Sequence, residues 1–267
     1  MDIWLQHLPQ WLLLSFVFFL GLCIGSFLNV CICRIPENRS VVFPPSSCPK
    51  CGHVLKWWEN IPVVSFIILK GKCSGCNCPI SFQYPIVELL TGIITLALWN
   101  KFGPSWHLLV YLVFSYGLIV VAFIDLAHKI IPDLISLPGI VIGFTSSFLL
   151  SDITWLDSLL GILVGGGTLY LVTWGYYLVT KRIGMGGGDI KLLAMIGAFM
   201  GWQAIPFIIF LSALTGSVIG ILFIFIKGAG KDYQIPFGPF LAAAAEMQLF
   251  WGKEIISLYS NLFSFHM

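Results

Sequence analysis

Long apolar runs alternate with short polar breaks over most of this chain. A bilayer core about 30 Å thick takes about 20 consecutive apolar residues for one helical crossing. On that measure the runs predict eight transmembrane helices, over residues 11–33, 84–100, 106–127, 131–150, 155–180, 189–201, 203–226 and 235–250. The sixth run is short, and the last can be extended to about residue 263. One sizeable polar segment, 34–83, separates the first two runs, and every other connection is brief. The expected fold is therefore an all-α polytopic membrane protein with a small Cys-rich, zinc-ribbon-like insertion between helices 1 and 2. Its parts are an N-terminal helix at 1–33, the insertion at 34–83 and a membrane domain at 84–267.

Composition agrees with the runs. The 267 residues are 58% hydrophobic and only 10% charged, with a mean hydropathy of +0.94, well outside the range of water-soluble domains. A net charge of +2 gives no field suited to nucleic acid. The first run has no basic residue before it and outlasts the apolar core of a signal peptide, so it reads as a retained helix. Lys and Arg supply the orientation. With the N-terminus outside, twelve of the 14 fall at the inner face and only Lys101 and Lys253 at the outer. Positive residues gather on the cytoplasmic side, which puts 34–83 and the glycine-rich 182–193 there.

Two acids stand out in that topology. Asp125 closes the third run within VVAFIDLAHKIIPD, and Asp189 opens the sixth after Gly184, Gly186, Gly187 and Gly188. Both are predicted at one depth on one face. Ionisable groups at a membrane edge are costly and mark function by default, although an acid at a helix start is also favoured by the helix dipole. Carboxylates that approach closely divide into an acid and a base. One draws a proton from water while the other protonates a peptide carbonyl. Glycines beside Asp189 leave room for a substrate backbone. The chemistry indicated is aspartic proteolysis at the cytoplasmic membrane edge.

The insertion carries a second signal. Cys48 and Cys51 in CPKC, and Cys73 and Cys76 in CSGC, are separated by 21 residues. Paired knuckles at this spacing read as four thiolates around Zn²⁺, and reduced cytoplasmic cysteines favour metal over disulfides. Cys78 is a spare thiol that could compete with Cys76. Cys23, Cys31 and Cys33 sit in an apolar run as packing residues. Glu88, in YPIVELLTG, opens the second run, either as a structural first-turn acid or as a functional group. Gly165, Gly166 and Gly167 permit close helix packing. IPFGPFLAAAA, at 235–245, predicts a loosened helix start near the acids. No P-loop or dinucleotide fingerprint is present, and the histidines show no ligand spacing.

Taken together, GSFLNV at 25–30, the paired CxxC segment, PIVELLTG at 85–92, FID and IPD within 123–133, GMGGGDIKLL at 184–193 and IPFGPFLA at 235–242 resemble the bacterial prepilin peptidases, or type IV leader peptidases, a group of GxGD-type membrane aspartyl proteases. That resemblance spans about residues 20–245. It implies catalytic roles for Asp125 and Asp189. It also implies cleavage of prepilin or type II secretion pseudopilin leaders after a glycine on the cytoplasmic side of the inner membrane. Methylation of the new N-terminus with S-adenosylmethionine would follow, and Glu88 and 34–83 are the candidates for it. Three alternatives remain open at this point: a peptidase without methylation, a transporter using the two acids as ion ligands, and a thiol–disulfide enzyme.

Overall fold

The eight apolar runs fold as eight helices of 14 residues or more. In a computed structural model, residues 9–182, 185–227 and 236–264 are described. Their α-helices are α1 (Gln10–Arg34), α2 (Val64–Ile68), α3 (Gln83–Phe102), α4 (Trp106–His128), α5 (Asp133–Ser146), α6 (Trp155–Thr180), α7 (Gly187–Met200), α8 (Ile205–Lys227) and α9 (Gly238–Ser264). Among the described residues there is no strand, only two isolated β-bridges inside the insertion. Among the described residues, five helical segments are long and apolar enough to cross a membrane: Gln10–Arg34, Gln83–Phe102, Trp106–His128, Trp155–Thr180 and Trp202–Phe223. The chain is an integral membrane protein with the Cys-rich insertion between its first two spans.

The expected spans at 131–150 and 189–201 become helices of only 14 residues each, α5 and α7. Fourteen residues rise about 21 Å, short of the hydrocarbon thickness. For α7 the reason is its surroundings: Leu192 to Phe199 are buried without a break, so protein rather than lipid encloses it. The expected span from 235 becomes the 27-residue α9, which carries Glu246, Gln248 and Glu254 and is not among the five.

By its contacts the chain divides into two units, residues 1–120 and 121–267. In the first, α1 lies along α3 because small residues face each other. A Cβ on Gly25 would stand 2.7 Å from the Glu88 backbone, and one on Gly21 would stand 2.8 Å from Gly92. The Asn29 amide crosses the same seam to the Tyr84 carbonyl at 3.0 Å. The GSFLNV segment thus serves helix approach, with the Asn29 side-chain N–H group bonded across it.

In the second unit, α7 packs against α6, α5 and α9. Gly161 and Gly165 of α6 lie directly on the Gly197 and Leu193 carbonyls of α7, leaving no room for a Cβ. Ser158 donates to the Ala198 carbonyl at 2.7 Å beside them. The predicted glycine run is only partly responsible. Gly165 is buried in the seam, Gly166 is at its margin, and Gly167 faces open space.

Candidate functional site

Asp125 lies in the last turn of α4, only 5% exposed. The helix ends just after it, where Lys129 takes a left-handed φ of 57° and its N–H closes on the Asp125 carbonyl at 2.8 Å. The chain then turns through Pro132 into α5. Asp189 is the third residue of α7 and is half-buried, where a helix N-terminus favours its negative charge. Gly188 is what brings the two ends together: a Cβ there would stand 2.8 Å from Ile131 in the α4–α5 turn. Asp125 and Asp189 thus come near enough to interact electrostatically. A third element arrives from far along the chain. The Gly238 N–H, at the start of α9, donates to Asp125 Oδ2 at 2.9 Å.

The glycines divide by duty. Gly186 caps α7 and its carbonyl accepts the Asp189 N–H at 3.3 Å. Gly187 has no heavy atom within 4 Å of where a Cβ would sit, so the loop is open on that side. Gly184 lies outside the described residues. Lys191, one turn into α7, binds both oxygens of Asp133 at 2.7 and 2.8 Å, tying the loop to the start of α5. Nothing in the local pattern of the sequence marks Asp133 and Lys191 as partners. The IPFGPF segment was correctly placed near the acids, but the Gly238 hydrogen bond needs coordinates to be seen.

The four predicted cysteines converge. One sulfur each from Cys48, Cys51, Cys73 and Cys76 fall within 4.8 Å of one another, and the Cys48–Cys76 and Cys51–Cys73 pairs stand at 3.9 Å. Tetrahedral Zn–S bonds of about 2.3 Å place sulfurs about 3.8 Å apart, so the donor set fits a zinc ion. The two knuckles are built alike. Cys48 N–H meets the His53 carbonyl and Gly52 N–H the Cys48 carbonyl, both at 2.9 Å; Cys73 with Cys78, and Asn77 with Cys73, repeat both bonds at the same distances. Gly52 and Asn77 occupy the left-handed position after the second cysteine, as the turn requires. Cys78 contributes this carbonyl and is outside the sulfur cluster.

The thiols differ in readiness. Backbone N–H groups of Cys51 and Lys50 hold the Cys48 thiol down to about 6. At Cys51 the backbone bond at His53 lowers the thiol, but desolvation and the neighbouring sulfurs push it up to about 12. Beside them Glu59 accepts from the Lys56 N–H at 2.8 Å and meets His53 at 3.0 Å.

Glu88 falls in neither group. It is the sixth residue of α3 rather than a first-turn acid, and it is 7% exposed. Its carboxylate accepts the Val63 N–H at 2.8 Å and the Ser26 hydroxyl. Val63 holds a φ of 63°, costly for a β-branched residue, so Glu88 fixes a strained turn of the insertion.

Helices enclosing a pair of interacting carboxylates, with a thiolate cluster inserted between the first two spans, define a membrane-embedded acid–base enzyme class. Comparison with known proteins narrows it. Residues 19–102 match the model described as Bacterial Peptidase A24 N-terminal domain, and 112–221 match that of the type IV leader peptidase family. Curated relatives include prepilin leader peptidase/N-methyltransferases of Aeromonas hydrophila (38% identical, 97% of this chain and 98% of the relative) and Pseudomonas aeruginosa (37%, 92% and 93%). Another is that of Xanthomonas campestris (40%, 90% and 92%). No solved structure gives a significant match. The chain belongs to the type IV leader peptidase family, as a membrane enzyme joining a peptidase to a methyltransferase.

Proposed function

We propose that the chain removes the leader of type IV prepilins or type II secretion pseudopilins and then N-methylates the exposed residue. Cleavage follows a glycine at the cytoplasmic face of the inner membrane, with the N-terminus of the enzyme outside. The observation that carries the reading is the meeting of Asp125, Asp189 and the Gly238 N–H within one unit. Asp125 and Asp189 form the catalytic pair. The ionised member takes a proton from water as the water oxygen attacks the scissile carbonyl; the protonated member gives its proton to the carbonyl oxygen. Collapse breaks the C–N bond, and the amine leaves with a proton from the pair. The loop that carries Gly184, Gly186, Gly187 and Gly188 receives the substrate backbone on the side left open at Gly187.

The asymmetry of Lys and Arg supports the orientation, and the relatives' names support the substrate. S-adenosylmethionine, when bound, supplies an electrophilic methyl group. The chain's part is to hold the new amine deprotonated: its lone pair takes the methyl, one N–H proton departs, and the donor is left as a neutral thioether. Glu88 belongs to this second activity, and the 34–83 insertion to its cytoplasmic face. Cys48, Cys51, Cys73 and Cys76 hold a structural Zn²⁺.

The test is co-expression with a prepilin in a host lacking its own peptidase, followed by electrophoretic mobility and N-terminal mass. Asp125→Asn and Asp189→Asn each reduce cleavage by about 10²- to 10⁴-fold. Wild-type processing by either variant overturns the assignment of the pair.

A further inference from the structure

We propose that a cavity at the end of α1 binds the methyl donor, with Arg34 taking its carboxylate. The assignment rests on the methyltransferase reading above and deepens it. The cavity, about 260 Å³, is bounded by Ser26, Val30 and Arg34 of α1 and by Pro44, Ser46 and Asn60 of the insertion. Ser26, Val30 and Arg34 follow one another at four-residue steps and so share a helix face. From Ser26 to Arg34 the wall rises about 12 Å. That volume suits the amino-acid and sulfonium portion of the donor rather than the whole molecule.

Arg34 is the observation that points to an anion. It is 7% exposed, and its guanidinium donates to the carbonyls of Ser40 at 2.9 Å, Pro44 at 2.7 Å and Pro45 at 3.4 Å. Among the described residues no carboxylate forms an ion pair with it. A buried cation held only by neutral acceptors is undercompensated. Its planar fork has further N–H groups than the carbonyls use, in the geometry a carboxylate fits. At the far end of the wall stands Ser26, whose hydroxyl bonds the Glu88 carboxylate outside the cavity lining. A buried guanidinium without a carboxylate partner, at one end of a cavity, complements the carboxylate of such a ligand.

The experiment uses the full-length protein in lipid discs, with S-adenosylhomocysteine and its carboxamide as probes in calorimetric titrations. Wild type prefers the acid over the amide on the order of 10- to 100-fold. Arg34→Gln binds both equally weakly, and Arg34→Lys, which keeps the charge but loses the fork, falls between. Val30→Phe fills the cavity, weakening both probes while keeping their ratio. Thermal unfolding checks each variant. Should Arg34→Gln fail to fold, the acid–amide comparison in wild type and Val30→Phe decides.

The assignment is overturned by a folded Arg34→Gln with wild-type affinity or by a wild type indifferent to the amide. An Arg34 effect confined to discs containing phosphatidylglycerol overturns it too, since the cavity then holds a lipid headgroup. The mass of the wild-type product separates the two levels. A mature pilin one methylene heavier, together with Arg34-independent donor binding, sinks this assignment alone. A product without the added mass sinks the methyltransferase reading, and this assignment falls with it.

Discussion

The thiol cluster and the carboxylate pair are assembled in opposite ways. The four sulfurs come from a stretch of 29 residues, 48–76, and each half is a six-residue turn closed by its own backbone hydrogen bonds. The carboxylate pair draws on Asp125, Asp189 and Gly238, and the longest of its links joins residues 113 apart in sequence. Nothing local holds those three together. Their meeting depends on α7 lying tightly among α5, α6 and α9. A centre built from local turns is sensitive to its own few residues, whereas one built from helix packing is sensitive to residues that never approach the chemistry.

The strongest way to break that contrast is at Gly161. A side chain there falls on the Gly197 carbonyl of α7, while Gly167, two turns along the same helix, faces open space. Gly161→Leu should destabilise the second unit by about 3 kcal/mol or more through overpacking, abolishing cleavage; Gly167→Leu should leave cleavage near wild type. Prepilin processing at matched enzyme levels measures both. Equal effects from the two substitutions would show that the α6–α7 seam does not position Asp189.

The same contrast explains what could be read before any coordinates. The order of the helices, the clustering of the four thiols and the nearness of the two acids were legible because each rests on a local pattern: run length, CxxC spacing, a charge ending an apolar stretch. The pairing of Gly161 with Gly197, the burial of Arg34 and the Lys191–Asp133 tie were not. In a membrane helix the lipid-facing and protein-facing sides are both apolar, so hydropathy does not mark which face meets which neighbour. The first-turn alternative for Glu88 does not hold, because the helix starts at Gln83 and Glu88 is its sixth residue. For α7, length alone suggested a marginal span, whereas its burial shows an interior helix.

A smaller effect is expected from the proposed zinc site at the four thiols, and it should stay local. Cys73 is buried among its partners at 5% exposure, so Cys73→Ser removes one of four ligands from the interior of the cluster. Zinc per chain should fall by more than about tenfold, as loss of a thiolate weakens a structural site strongly. Residues 46–80 should also become open to proteolysis. Asp125→Asn, by contrast, should leave the metal content unchanged. Metal analysis of the purified proteins and mapping of proteolytic fragments check both; loss of zinc in the aspartate variant would end the separation of the two centres.

The smallest effect tests how the local turn is fastened. Glu59 is held down to about 2, first by the Lys56 N–H, then by the Ser74 hydroxyl and His53. A folded-state value below the ordinary carboxylate range means that the ionised form is the one the fold binds. Its stabilisation is therefore complete above the unfolded value, about 4.3, and disappears as pH falls through about 2. Hydrogen exchange of peptides spanning 56–60, corrected for intrinsic rates, should show faster opening in Glu59→Gln than in wild type near neutral pH. The two proteins should converge on acidification. A difference that widened as the pH fell would mean that the turn is fastened by a protonated carboxyl, and that the hydrogen bond to Lys56 is not what closes it.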